Sequence, residues 1–409
     1  MNEKIIEQIK KRFPIFKTNI KKNSLHYLDN AAITHVPDVV ISSLIDFYSR
    51  INSNIRRSAY FLSEQATEEY DKAREKIAFF LGIKDKNNCI FVKNTTEGIN
   101  LVATSYLKPL LKEDDEILIS NMEHHSNIVP WYMLANEKKA KLKIIPILES
   151  GDLDYKVINN LLTKNTKIVA ITHISNALGT INNIKDIINL AHAKNIPVLI
   201  DGAQSLLENL INIEDLNCDF FVMSSHKCYG PNGVGILYAK KKMLDVMEPY
   251  QGGGEMIKSV QFTKILWNDN PYKFEAGTQS IANIIAFGKT IDFLQSLDLT
   301  KLFLYKKELT IYALNRLEEL KNVKIIGHPD QRAAIISFII NNIHSHDFGT
   351  IANHYGVCVR TGHHCAMPLM DFYKISSTIR LSLGIYNVKT DIDKLIFSIK
   401  ESQNIFYPK

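Results

Sequence analysis

Between residues 89 and 239 the chain alternates short apolar, β-branched runs with stretches whose apolar residues recur every three or four positions. The runs are CIFVK (89–93), EILIS (116–120), KLKIIPIL (141–148), KIVAITH (167–173), PVLID (197–201), FFVMSS (220–225) and GVGILYA (233–239). Several are apolar throughout, the pattern of strands buried on both faces of a largely parallel sheet. Between them the spacing predicts helices. One spans 63–81, with Ala66, Tyr70, Ala73, Ile77 and Phe80 on one face and Gly82 as its stop, and another spans 184–194. Such alternation predicts an α/β domain.

After about residue 281 the texture changes. Two long helical stretches (281–297 and 300–320) lead to strands near 323–326 and 335–340. A helix (347–355), the strand VCVR (357–360), the loop RTGHHCAMPLM (360–370), a strand at 379–383 and a final helix (390–402) follow. The expected fold is therefore α/β, a large unit with a mostly parallel seven-stranded sheet plus a smaller α+β unit. We divide them at 20–290 for the large unit, and 1–19 with 291–409 for the small one. The small unit carries the Cys365 loop. No repeat or low-complexity linker separates the two.

Composition narrows the partners. The 409 residues are 45% hydrophobic and 22% charged, with a net charge of +6, as in an ordinary soluble globular protein. No Lys/Arg run exceeds three residues, and no basic stripe with interleaved aromatics is visible, so no nucleic-acid partner is expected. No apolar run approaches a membrane span. The opening MNEKIIEQIKKRFPIF has no apolar h-region and carries acidic residues, unlike a secretory or transit peptide. Five cysteines without CxxC spacing argue against a disulfide framework and fit a reducing compartment. The expected location is cytoplasmic.

Ligands of open α/β sheets bind at the carboxyl ends of strands, and four sets of candidate groups fall at such ends. KNTTEGIN (93–100) offers the hydroxyls of Thr95 and Thr96 and free N–H groups at a helix start, suited to a phosphate; read alone, a threonine there simply caps the helix. Asp201 ends the strand in VLIDGAQS, as a turn residue or as partner to a buried cation. In SSHKCYGPNGVG (224–235), Lys227 follows a strand directly; it is either a surface lysine or an amine whose burial lowers its pKa and makes it a nucleophile. MEHHSNIVPW (122–131) places His124 and His125 after EILIS. A phosphate cradle, a carboxylate, an amine and an imidazole together suit one ligand, pyridoxal 5′-phosphate: its phosphate needs the helix start, its aldehyde the lysine, its ring nitrogen the carboxylate.

These segments resemble the class V (fold type I) aminotransferase group, and within it the SufS-type cysteine desulfurases. The matching stretches are YLDNAA (27–32), FVKNTTEGINLVA (91–103), NMEHHSNIVPW (121–131), HISNALGT (173–180), IDGAQS (200–205), SSHKCYGPNGVGILY (224–238), GGGEMI (252–257), FEAGTQ (274–279) and RTGHHCAMPLM (360–370), in order over nearly the whole chain. The resemblance implies that Lys227 bonds to the cofactor and Asp201 pairs with its ring nitrogen. Gln204 would bond its phenolic oxygen and His124 would stack on its ring. Thr95, Thr96, Ser224 and His226 would bind the phosphate, completed by Thr278 from the second subunit of an obligate homodimer. Asn176 and Arg380 would bind the substrate carboxylate, for which a guanidinium is well shaped, and Arg360 matches a further substrate-binding arginine of the site. The GGGEMI segment resembles a hairpin near the partner's active-site mouth. A departure is Arg56, where the family more commonly has histidine, near the substrate pocket.

Cys365 follows two histidines. A zinc site is not expected, since adjacent His363, His364 and Cys365 cannot converge on one tetrahedral metal. A buried structural cysteine is an alternative, but the Thr-Gly turn favours exposure, and Arg360 and the histidines favour the thiolate. The resemblance implies an L-cysteine desulfurase releasing L-alanine, with Cys365 receiving the sulfur as a persulfide and passing it to an acceptor protein for Fe–S cluster assembly. The competing readings are a selenocysteine lyase and a sulfur-carrier or adaptor protein without turnover. A nicotinamide enzyme is disfavoured because no GxGxxG follows the first strand. Tuning of the thiol, or plain positioning of the loop, would explain the two histidines.

Overall fold

The computed structural model describes residues 3–407 apart from 21 and 209; residues 1–2 and 408–409 of the expected smaller unit lie outside the described residues. Each of the seven apolar runs contains a strand: β1 (Cys89–Val92), β2 (Glu116–Ser120), β3 (Lys141–Ile145), β4 (Thr166–Thr172), β5 (Val198–Asp201), β6 (Phe220–Ser224) and β7 (Gly235–Ala239). They form one sheet in the order β1-β7-β6-β5-β4-β2-β3. Strands β6, β5, β4, β2 and β3 pair in parallel, and β7 runs antiparallel to both of its neighbours.

Continuous apolarity has the expected cause. Every residue of β1, β2, β5, β6 and β7 is buried. Because side chains alternate across a strand, Val198 and Ile200 of β5 join the core on one face and Leu199 the core on the other. Burying each such side chain contributes about 1.5–3 kcal/mol. The first face is covered by α1 (Phe61–Phe80) and α3 (Ile281–Gln295), and the second by residues such as Leu101 and Trp131. Strand β3 departs from the pattern: it lies at the sheet edge, where Lys141 and Ile144 face solvent, and regular pairing stops before Pro146.

The opposite edge is closed by side chains. The Phe91 N–H of β1 donates to Glu275 Oε1 (2.8 Å), and Arg74 of α1 donates to the Cys89 carbonyl (2.6 Å). These bonds satisfy backbone groups that would otherwise be buried unpaired.

The C-terminal region forms a four-stranded antiparallel sheet from β8 (Val323–Ile326), β9 (Ile335–Ile340), β10 (Arg360–Gly362) and β11 (Thr378–Ser382), in the order β8-β9-β11-β10. Its core unites Ile336, Phe338 and Leu381 with Leu302, Leu309 and Ile399 of the long helices and with Ile6, Ile9 and Phe13 near the N-terminus. VCVR is not one strand. Val357–Cys358 pairs in parallel with His26–Tyr27, and the chain re-pairs from Arg360 with β11. The helix Met367–Tyr373 that follows the Cys365 loop puts Leu369 and Met370 into the core of the large sheet. That packing anchors the loop at its far end.

Candidate active site

A cavity of about 280 Å³ opens at the carboxyl ends of β1, β2, β4, β5 and β6. Thr95, Thr96, His124, Asn176, Asp201, Gln204, Ser224, His226, Lys227, Arg360, Cys365 and Arg380 all line it. Thr278 does not: it is exposed and faces a second cavity with Lys93, Gly233 and Tyr250.

At the end of β1, helix α2 (Thr95–Leu101) begins. Its cap is Asn94, whose side chain accepts the Glu97 N–H (3.0 Å), and not either threonine. The threonines are thereby free for other work. Thr95 Oγ1 lies 2.7 Å from Ser224 Oγ at the end of β6, and Thr96 Oγ1 lies 2.7 Å from Ser126 Oγ. The hydroxyls thus surround a helix start, where the peptide dipoles favour an anion.

Asp201 is 3% exposed and accepts the Ala203 N–H at 3.0 Å. Burial raises its pKa, opposed by that N–H and by the positive charge of Lys227. The next residue must be glycine, because a Cβ at Gly202 would sit 2.0 Å from the ring of Phe221. Lys227 makes no salt bridge among the described residues, and burial lowers its pKa; Asp201 opposes the shift, while Arg380 and Arg360 reinforce it. Its amine is therefore drawn toward the neutral, nucleophilic form.

His124 accepts the Ser126 N–H at Nδ1 (3.1 Å). Burial, then Lys227, lower its pKa to about 3, so near neutrality the ring is uncharged with its proton on Nε2. Beneath it Glu123 is fully buried. It accepts the Asn127 amide (2.7 Å) and the Thr172 N–H (3.0 Å), and burial pushes its pKa up to about 8.

The segment 29–34 stitches the cavity together, which sequence reasoning missed. Ala31 O accepts the Gln204 amide (2.8 Å), Thr34 binds the carbonyl of His226, and Asp29 accepts from Arg380 Nη2 (2.9 Å) with Arg360 Nη1 at 3.9 Å. Asp29 stands inside YLDNAA, yet 351 residues from Arg380, so no local spacing could reveal the pair. Arg380 also donates to Asn176 O (2.8 Å), and Asn176 donates to His364 O (2.7 Å). Among the described residues, three buried side-chain atoms at the cavity have no partner: Gln204 Oε1, His364 Nδ1 and Arg380 Nε.

The Cys365 loop turns through left-handed backbone at His364 (φ 53°) and Cys365 (φ 56°), a conformation that costs about 1 kcal/mol or more per non-glycine residue. Cys365 is half-buried, not freely exposed. His364 is 4% exposed and bonded to Thr378 Oγ1 (2.7 Å); burial, with Arg380 and Arg360, lowers its pKa to about 2. A neutral ring brings no charge to a thiolate, so the expected tuning by this histidine does not hold, and its contacts position the loop. Arg56, expected near the pocket, does not line it. It pairs with Asp71 (2.5 Å) and lies over the Tyr272 ring (4.2 Å).

The class-V aminotransferase model matches residues 26–395. The chain belongs to the class-V aminotransferase family. Within that family its relatives are cysteine desulfurases. The chain is 43% identical over 400 residues to the cysteine desulfurase of Wigglesworthia glossinidia brevipalpis, covering 97% of each, and 43% identical over 399 residues to a probable cysteine desulfurase of Halalkalibacterium halodurans, covering 98% of each. The crystal structure of an Escherichia coli cysteine desulfurase superposes with a TM-score of 0.92 at 31% identity over 99% of both chains. An apo cysteine desulfurase from Thermococcus onnurineus gives 0.92 at 31% identity over 97% of both. The class-V fold thus extends over the entire cavity described above.

Proposed function

We propose that this class-V enzyme is a pyridoxal 5′-phosphate-dependent L-cysteine desulfurase. The observation that carries the reading is the convergence of Lys227, Asp201, His124, Arg380 and Cys365, from five separate parts of the chain, on one cavity. The residues fit the cofactor: the hydroxyls at the start of α2 suit its phosphate, and among the described residues Gln204 Oε1 is a buried acceptor without a partner and the lysine, its pKa lowered by burial, makes no salt bridge. Lys227 would hold it covalently, Asp201 at the ring nitrogen, Gln204 at the phenolic oxygen, His124 at the ring face, and Thr95, Thr96, Ser224 and His226 at the phosphate. Bound there, pyridoxal phosphate supplies an electron sink for charge released at the substrate's α-carbon.

The protein's own groups do the rest. Arg380, with Asn176 and Arg360, binds the substrate carboxylate, and the unpartnered Arg380 Nε gives that guanidinium spare capacity. Lys227, once the substrate amine has displaced it and freed its neutral amine, takes the α-proton. The Cys365 thiolate attacks the substrate sulfur. A sulfur–sulfur bond forms as the substrate's carbon–sulfur bond breaks, and the electron pair leaves with the carbon fragment, which takes up a proton and departs as L-alanine. A persulfide remains on Cys365. We assign its sulfur to an acceptor protein for Fe–S cluster assembly. Thr278, remote from this chain's cavity, fits a homodimer in which it reaches the partner's. A cytoplasmic location suits the five free cysteines, and among the described residues no helix is long and apolar enough to cross a membrane.

The test is to incubate the protein with L-cysteine, quantify alanine and map added sulfur by peptide mass. Persulfide is expected on Cys365 and not on Cys89, Cys218, Cys228 or Cys358. Cys365→Ala should abolish sulfur release from cysteine; wild-type turnover in that variant refutes the assignment.

A further inference from the structure

The strained turn at His364 and Cys365 needs something to hold it, and the bonds that do so come from two imidazoles outside the cavity's chemistry. His363 Nδ1 accepts the Cys365 N–H (3.1 Å), and His125 Nε2 accepts the Met367 N–H (3.1 Å). The two rings stack with centroids 5.6 Å apart and planes at 29°. The main-chain N–H of His125 in turn donates to the Cys365 carbonyl (2.7 Å). Backbone groups on both sides of the nucleophile are therefore tied to the residue next to His124.

We infer that His125 and His363 form a stacked latch that sets where the Cys365 thiol stands relative to Lys227 and His124. Neither ring lines the cavity, so both are positioning residues. The inference rests on the desulfurase reading, and it explains why imidazoles occupy these places. A flat ring can stack on its neighbour and still present one nitrogen as an acceptor to a main-chain N–H. Two such bonds oppose the tendency of a left-handed cysteine to relax. His364 anchors the loop from the inside through Thr378 and Asn176, while the latch secures its outer face, where His363 is exposed and His125 half-buried.

The experiment uses the cofactor-loaded enzyme and four variants: His125→Ala, His363→Ala, and the acceptor-retaining His125→Gln and His363→Asn. Deuterium uptake is followed in the peptide covering residues 360–370, beside kcat and KM for L-cysteine. Each alanine variant should exchange the Cys365 and Met367 amides about tenfold faster. Each should also lose about tenfold in kcat, with KM changed less than about twofold. Gln and Asn, which restore an acceptor oxygen near the lost nitrogen, should recover most of both effects. Unchanged exchange in the alanine variants, or failure of both acceptor variants to recover, overturns the latch. Failure of the desulfurase reading would show separately, as Cys365→Ala retaining turnover, because exchange is read without any reaction.

Discussion

Two of the places where this protein buries charge do so in opposite ways. At the edge of β1, Arg74 and Glu275 are 2% and 3% exposed, and both terminal guanidinium nitrogens meet both carboxylate oxygens at 2.8 and 2.7 Å. Glu275 also takes the Phe91 N–H and Arg74 the Cys89 carbonyl. In the cavity, Lys227 has no salt bridge among the described residues, and Gln204 Oε1 and Arg380 Nε are buried without partners. The first arrangement closes a sheet edge and holds the segment leading to Thr278. The second leaves polar groups waiting, and its cost to the fold is the condition for binding something else. Unpartnered atoms are not confined to the site, since Arg74 Nε is buried without a partner too. What sets the site apart is a lysine with no salt bridge among the described residues, facing an open cavity.

The contrast can be broken at either end. Replacing Lys227 with alanine should lower alanine production by about 10⁴-fold while leaving the thermal midpoint unchanged or higher, since it removes a desolvated amine. A matching loss of stability would erase the distinction. Glu275→Ala should do the reverse. It strands a buried guanidinium and the Phe91 N–H, so denaturant unfolding should show a loss of about 3–5 kcal/mol, with kcat for the surviving folded enzyme within about threefold of wild type.

Acid sharpens the comparison. His124 has a folded pKa of about 3 against 6.5 for a free imidazole. Between those values the unfolded chain binds a proton that the folded chain refuses, so its contribution is whole above 6.5 and is lost as pH falls. Relative to His124→Gln, the wild-type apoprotein should lose about 2 kcal/mol on going from neutral to about pH 4.5, read from urea midpoints. A pH-independent difference would mean that the ring is not held neutral. The smallest effect belongs to Arg56→His. The Arg56–Asp71 pair is partly exposed, so its loss should cost less than about 1 kcal/mol. KM for L-cysteine should move less than about twofold; a larger change would bring residue 56 into the site after all.

Much of this was legible in the chain. Each of the seven apolar runs contains a strand, and five of these strands are buried at every residue because strands covered on both faces leave no polar positions. The edge strand β3 was found by its β-branched run instead. The motif residues at strand ends, Asp201, Ser224 and Lys227 among them, line the cavity because a parallel sheet brings its carboxyl ends to one side. Local competition was not legible. Asn94 outcompeted two threonines for the cap, and VCVR split because its first half met His26–Tyr27 and its second half met β11.

What the sequence determined alone was therefore the set of strands, their order of appearance and the chemical types placed at their ends, all consequences of side-chain periodicity and of short-range backbone preference. Only the tertiary structure decided how those types were used. Asp29 reaches Arg380 across 351 residues, His125 meets His363 through a stacking contact, and Arg56 turns to Asp71 and away from the cavity. Such pairings depend on distances that arise only when separate elements pack. Burial, which sets the charge state of Lys227, His124 and His364, arises in the same way, because desolvation belongs to the assembled environment and not to any residue within its segment.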